Sequence, residues 1–340
     1  MKKAITIKEI AEELGLSRNT VSKALNGQYV PNTTRELVLK KAQQMNYKSF
    51  NNDILKSKKY RILLLTGKPI HNMNFYLPLV NSLETYCFDN NYDFFGYTYK
   101  PDGSAFDKIA TYIKSLNVDG IVAIECFEIE LIKKLLGLKL PICFIDFAGY
   151  SFDVEDNFDL ISSTDQKNVC DYIKTLVNKY DFKYFSFVGD YRHCLSFHER
   201  YMGMLRGLSR CNLSHSKIDD ILEDDKTFDY GDVHSLKSKL MEFSKLPDCF
   251  VCCNDFVARK VATAIKELGY EIPRDTTIIG FDGVIESEQG DPKITTFNVD
   301  KTFLGEEAIR LLVGRIKNRN CPTRIVSVHC RLIERESTIK

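Results

Sequence analysis

At Tyr60 the hydrophobic period of the chain changes, and this change restricts the possible folds most. Before it, apolar residues recur only at helical spacing. After it, short apolar runs alternate with helical stretches. Residues 61–66 read as a strand closed by Gly67, 75–91 as a helix, 92–99 as a strand and 106–116 as a helix. Strand 120–124, helix 129–136 and strand 141–146 continue the series. It restarts with helix 167–180, strand 184–188, helices 198–211 and 236–243, strand 249–253 and helix 256–268. Strands 277–281 and 294–297, helix 303–316 and strand 324–333 complete it. Strands alternating with helices predict parallel sheets with helices on both faces, an α/β fold. Two such series, each of about 110–130 residues, fit two lobes of ordinary domain size.

Length and charge divide the chain the same way. At 340 residues it exceeds one ordinary core. The expected parts are residues 1–47, a linker 48–59 and a two-lobed body 60–340. One lobe is expected from about 60–162 plus 294–322, the other from 163–293 plus 323–340. The formal charge of +1 conceals an asymmetry: residues 1–59 hold twelve Lys/Arg against five Asp/Glu, hence +7, which leaves −6 for the rest. A basic end on an acidic body fits nucleic-acid contact at that end alone.

The basic part has its own pattern. Ile7, Ile10, Ala11 and Leu14 form one helical stripe, Gly15 breaks it, and Ser17 is placed to cap a second helix. In that helix Val21, Ala24 and Leu25 share one arc, while Arg18, Asn19, Ser22, Lys23 and Asn26 share the other. A third helix, capped by Thr33 or Thr34, would turn Val38, Ala42 and Met45 inward. An αα-hairpin with a solvated polar face has this pattern too. So does a helix-turn-helix, whose outward donors can meet phosphates and base edges.

The run V-S-K-A-L-N-G at 21–27, the later T-R-E-L-V at 34–38 and Asn46-Tyr47 resemble the headpiece of the LacI/GalR family of bacterial transcription regulators. The resemblance extends more loosely to Glu334 and implies a periplasmic-binding-protein-like body that holds a ligand between its lobes. It implies Arg18, Asn19 and Lys23 nearest the bases, Thr6, Ser17, Thr20, Ser22, Asn26 and Thr34 at phosphates, and Tyr29 as a further base or sugar contact. The partners implied are operator DNA, a second copy of the chain and a small polar effector acting as inducer or co-repressor. The family's hinge carries P-N-x-x-A-R-x-L, whereas residues 49–55 here read S-F-N-N-D-I-L and lack the proline, alanine and arginine. Ile54 or Leu55 stands where the family wedges a leucine into the minor groove.

Ligands of parallel sheets collect beyond the carboxyl ends of strands. There the chain sets Asn74-Phe75-Tyr76, Asp146-Phe147, Asp190-Tyr191-Arg192, Ser196-Phe197, Arg200, Asn254-Asp255 and Asp282. Amides, carboxylates, arginine and flat rings suit a sugar or nucleoside-like molecule, stacked and hydrogen-bonded around its edge. The segments S-x-x-x-R-x-x-G at 196–203, C-N-D at 253–255 and G-F-D at 280–282 match the family. They point to Arg200, Asn254 and Asp282, then Phe75 and Asp146, with Tyr76 and Ser196 beside them. Asp255 and Asp165 read equally as caps of the following helix and as ligand contacts.

Other chemistries have weaker support. The C-x-x-C at Cys249 and Cys252 falls inside an expected buried strand, without a second ligand pair, so neither metal nor redox chemistry is expected. His193, Cys194, Ser196 and His198 cluster, yet no G-x-S-x-G elbow is present and no enzyme is expected. Gly67 and Gly103 stand alone, so phosphate-cradling loops and cofactors are not expected either. With no apolar run of membrane length and no secretory start, the eleven cysteines read as reduced thiols of a cytoplasmic protein. The competing reading is a cytosolic solute receptor that does not bind DNA, against which the +7 end argues.

Overall fold

The computed structural model describes residues 5–25, 30–45, 47, 59–67, 74–100, 105–148, 158–163, 166–216 and 220–339. The chain forms two compact units, Met1–Lys59 and Tyr60–Lys340.

In the first unit, helices α1 (Ile7–Leu14), α2 (Arg18–Leu25) and α3 (Asn32–Gln44) enclose a small core. Thr6 and Glu9 close a reciprocal capping box on α1: the Glu9 amide donates to Thr6 Oγ1, and the Thr6 amide to Glu9 Oε2 at 2.7 Å. Gly15 ends α1 at φ 63°, a left-handed position that costs any residue with a Cβ. Ser17 Oγ then accepts the Thr20 amide at 3.0 Å, which starts α2 two residues after the turn. Ile10, Ala11, Val21, Ala24, Leu25, Val38 and Ala42 are buried together, with Ile7, Leu14 and Met45 packed around them. The start of α3 differs from expectation. The Pro31 carbonyl accepts the Arg35 amide at 2.9 Å, so Pro31 occupies the capping position and Thr33 and Thr34 lie inside the first turn. An ion pair of 2.6 Å from Lys41 to Glu13 ties α3 to α1.

The second unit contains two sheets. The strands and helices of its first half are β1 (Arg61–Thr66), α4 (Tyr76–Asp89), β2 (Asp93–Thr98), α5 (Ala105–Leu116), β3 (Gly120–Ile124), α6 (Ile129–Leu136), β4 (Ile142–Ile145) and β5 (Asp159–Ser162). There follow α7 (Gln166–Tyr180), β6 (Phe185–Val188), α8 (Leu195–Arg210), α9 (Val233–Met241), β7 (Cys249–Cys252), α10 (Asp255–Glu267), β8 (Thr277–Asp282) and α11 (Ile285–Glu288). Strand β9 (Thr295–Asn298), helix α12 (Lys301–Lys317) and strands β10 (Arg324–Ser327) and β11 (Arg331–Ile333) end the fold. The first sheet runs β10-β5-β4-β3-β1-β2, all parallel; the second runs β11-β9-β8-β7-β6. In the second sheet β11 is antiparallel to β9, a departure from the all-parallel expectation. Strands β3, β4 and β7 are buried throughout, as strands covered on both faces must be.

Two lobe boundaries need correction. Residues 295–298, expected in the first lobe, pair with β8 in the second sheet. Residues 324–327, expected in the second, pair with β5 in the first. For residues 324–327 the structure shows a buried carboxylate that holds them, on a strand that the sequence pattern did not reveal. Asp159 of β5 takes bidentate contacts from Arg315 of α12 at 2.7 and 2.8 Å, and from Arg324 of β10 at 2.7 and 2.9 Å. A fully buried charge requires this degree of pairing, and the pairing pins α12 and β10 to the first lobe. Residues 324–333, expected as one strand, are therefore split between the sheets.

Candidate functional site

A cavity of about 680 Å3 opens between the lobes at the carboxyl ends of both sheets. All seven residues expected to contact a ligand line it: Phe75, Tyr76, Asp146, Ser196, Arg200, Asn254 and Asp282. Arg200 is the centre of the second-lobe wall. It projects from the second turn of α8, is 2% exposed, and donates from Nη2 to Asp282 Oδ1 at 3.0 Å and from Nη1 to the Cys253 carbonyl. Its guanidinium lies 3.9 Å from the Phe281 ring centroid and 5.4 Å from that of Phe197. Charge pairing and ring faces together make a buried guanidinium tolerable.

Three carboxylates reach the cleft by the same backbone device. Glu125, Asp146 and Asp282 stand at the ends of β3, β4 and β8 with φ of 53°, 62° and 99°. A left-handed residue turns the chain sharply after the strand, and such strain collects at functional sites. Asp146 also joins the lobes. Its Oδ1 accepts the Phe147 amide at 2.8 Å and the Ser196 amide at 3.2 Å, while the Leu195 amide donates to the Phe147 carbonyl at 2.9 Å. Asn74 crosses the cleft from the other side, donating to Glu286 Oε1 at 2.6 Å. Near the crossover into α12, the Lys301 ammonium bonds the carbonyls of Asp282, Gly283 and Val299 and sits 5.4 Å from the Phe75 ring centroid. Burial pushes that ammonium down from its ordinary value, against the upward pull of Asp282.

Several neighbours in sequence do not line the cavity. Asn254 does, but its Oδ1 also caps α10 by accepting the Val257 amide at 2.9 Å. Asp255 lies beneath the cleft, fully buried, accepting the Val284 amide at 3.0 Å; a Cβ at Gly280 would collide with it. Burial first, and then the Asp282 charge, push its carboxyl up to about 7. Tyr191 packs on Tyr201, and Arg192 pairs with Asp190 at 2.9 Å, so neither lines the cavity. Sequence reasoning missed the segment Asp225 to Gly231, which supplies Phe228 and Tyr230, and Glu125 on the first lobe. The segment belongs to no regular element, so it has no period to detect. Glu125 directly follows a strand and was open to the same rule as Asp146.

Near the cleft, His193 is already paired and the thiols are buried. His193 Nδ1 pairs with Asp225 Oδ2 at 2.6 Å, and its ring packs between Phe127 and Phe197. Burial raises the thiols of Cys194, Cys252 and Cys253 well above their ordinary value, which suppresses the reactive thiolate.

In the first unit, Arg18, Asn19 and Lys23 are exposed on α2, opposite the buried Val21, Ala24 and Leu25. Ser22, Thr20 and Thr34 are half-buried, whereas Thr6 and Ser17 are exposed and serve as helix caps. Asn26, Tyr29, Ile54, Leu55 and Asp165 lie outside the described residues.

Residues 6–49 match the model of bacterial regulatory proteins of the lacI family, and residues 177–338 that of a periplasmic binding protein-like domain. The chain therefore carries a lacI-family domain at its basic end and a periplasmic binding protein-like domain in its body. Two relatives named HTH-type transcriptional repressor PurR, from Mannheimia succiniciproducens and Aliivibrio salmonicida, are each 27% identical over 98% of this chain and 99% of their own. A transcriptional regulator CelR–cellobiose complex has a similar fold, with TM-score 0.72 at 18% identity over 98% of this chain and 99% of its own. The lac repressor dimer bound to operator and an anti-inducer superimposes with TM-score 0.67, also at 18% identity, over 99% and 100% of the two chains. The relatives are transcriptional repressors, and the two matched domains fit a DNA-binding regulator with an effector-binding body. Among the described residues no helix is long and apolar enough to cross a membrane.

Proposed function

We propose that this chain is a lacI-family repressor whose hold on operator DNA responds to a small polar effector bound between the lobes. The observation that carries the reading is the buried Arg200–Asp282 pair in the wall of a ligand-sized cavity, joined by every other expected contact residue. Asp282 and Asn254 would accept and donate to ligand hydroxyls, and Phe75, Tyr76 and Phe197 would cover its faces. Asp146 and Asn74 already bridge the lobes, so a ligand that strengthens or competes with those bonds would bias lobe closure. On the first unit, Arg18, Asn19 and Lys23 would read base edges, with Thr6, Ser17, Thr20, Ser22 and Thr34 at the backbone. One such helix spans few base pairs, so the active form would be a homodimer on a near-palindromic site in the cytoplasm.

The test is a mobility-shift assay on genomic fragments at controlled salt. The wild type is expected to shift a discrete set of fragments, and the shift is expected to change with effector. A chain that shifts all fragments equally, with or without candidate effectors, would sink the reading. Arg200→Ala is expected to bind the same fragments yet lose the effector response.

A further inference from the structure

The cleft carries a charge pattern that narrows what it can hold, provided that it is the effector site. Among the described residues seven carboxylates line it, including Glu125, Asp146, Asp190, Asp225 and Asp282, against Arg200 and Lys226 as permanent cations, a formal balance of −5 for that lining; outside it, Arg192 pairs with Asp190 and Lys301 bonds backbone carbonyls. Arg200 is not available as an anion receptor, because its charge is matched by Asp282 at 3.0 Å. Lys226 is exposed on the segment between α8 and α9. What Arg200 still offers is donors rather than net charge: its Nε–H, in a side chain 2% exposed, has no acceptor among the described residues. A neutral hydroxyl or ring oxygen would satisfy it without adding charge. Phe75, Phe197, Phe228 and Phe256 give the same cavity several π-faces, which attract cations and cover sugar or base faces.

We infer that the cleft takes a hydroxylated ligand that is uncharged or carries a protonated amine, and that it rejects phosphorylated or carboxylated forms of the same scaffold. A phosphate or carboxylate entering here would be desolvated among like charges with no uncommitted buried cation to meet it. An ammonium would find carboxylates on both walls, Glu125 and Asp146 from the first lobe and Asp190 and Asp225 from the second.

The experiment uses the full chain and matched probes at constant ionic strength. Glucose, glucosamine and glucose 6-phosphate form one series, and adenosine and AMP another. Ligand-observed NMR follows binding into the millimolar range, with a separate mobility-shift assay on operator fragments. In at least one series, the neutral or amine member is expected to bind at least about tenfold tighter than its phosphorylated counterpart. Asp225→Asn keeps an acceptor for His193 and removes one charge. It is expected to lower the ratio of amine to neutral affinity, a change in selectivity that a purely structural role would not produce. Equal or tighter binding of a phosphorylated probe overturns the inference, as does failure of every neutral and amine member to bind. Either result leaves the DNA-binding reading to be judged by the mobility shift alone.

Discussion

The two units show their candidate functional residues in opposite ways. On α2 the residues for DNA stand exposed, and the apolar arc behind them forms the core. In the cleft the central residue, Arg200, is buried more deeply than many core side chains and is held by Asp282 and the Cys253 carbonyl. A polyanion as large as DNA brings its own field and can be met by solvated donors. A small ligand offers few contacts, so its site must be held in place beforehand by side chains that also support the fold. Substitutions should therefore separate function from stability in the first unit and couple them in the second.

The largest effect expected from this contrast is at Arg200. Arg200→Ala strands the Asp282 carboxylate and leaves the Cys253 carbonyl without its donor, and should cost about 3–5 kcal/mol of body stability. Denaturant unfolding would measure it; a loss below about 1 kcal/mol would mean that the pair is not a fold determinant. The counterpart is Arg18→Ala/Lys23→Ala. It should weaken binding to specific fragments by about 2–4 kcal/mol while moving unfolding of the first unit by less than about 0.5 kcal/mol. A matching loss of helicity would erase the distinction between the units.

Asp255 sharpens the contrast through pH. Its folded carboxyl is raised from the ordinary 3.8 to about 7, so between those values the native state binds a proton that the unfolded state does not. Its contribution is fully present below the unfolded value and is lost as pH rises toward 7. Asp255→Asn, which keeps an acceptor for the Val284 amide, should flatten the pH dependence of stability in that window by about 1 kcal/mol per pH unit at most. An unchanged slope would mean that Asp255 is charged in the folded protein. The smallest effect belongs to Gly15→Ala, expected to cost about 1–2 kcal/mol because of the left-handed backbone at φ 63°. Thermal unfolding of the isolated substitution would show it, with no change in the contacts of Arg18.

The legibility of the chain follows the same division. The first unit could be read almost whole, because a three-helix core is built from local periodicity: Ile10, Val21 and Val38 announce their burial by spacing alone. The missed detail there, Pro31 rather than Thr33 or Thr34 at the start of α3, concerns a boundary. In the body, most strands and helices were legible for the same reason. The four-residue β5 was not: β4, β6 and β7 are as short but mostly apolar, whereas β5 reads D-L-I-S, with two apolar residues and an Asp159 that looks like a loop residue.

The sequence by itself determined the alternation of strands and helices, the basic first unit and the strand-end positions where a ligand would collect. All of these depend on spacing between near neighbours. Tertiary structure alone decided which sheet β9 and β10 join, because strand pairing links residues such as Arg324 and Asp159 that lie far apart in the chain. It also decided that Arg200 meets Asp282, that Asp255 lies beneath the cleft, and that the segment from Asp225 to Gly231 closes one wall. Those contacts depend on where the backbone turns after each strand, and that direction is set by packing against elements distant in sequence.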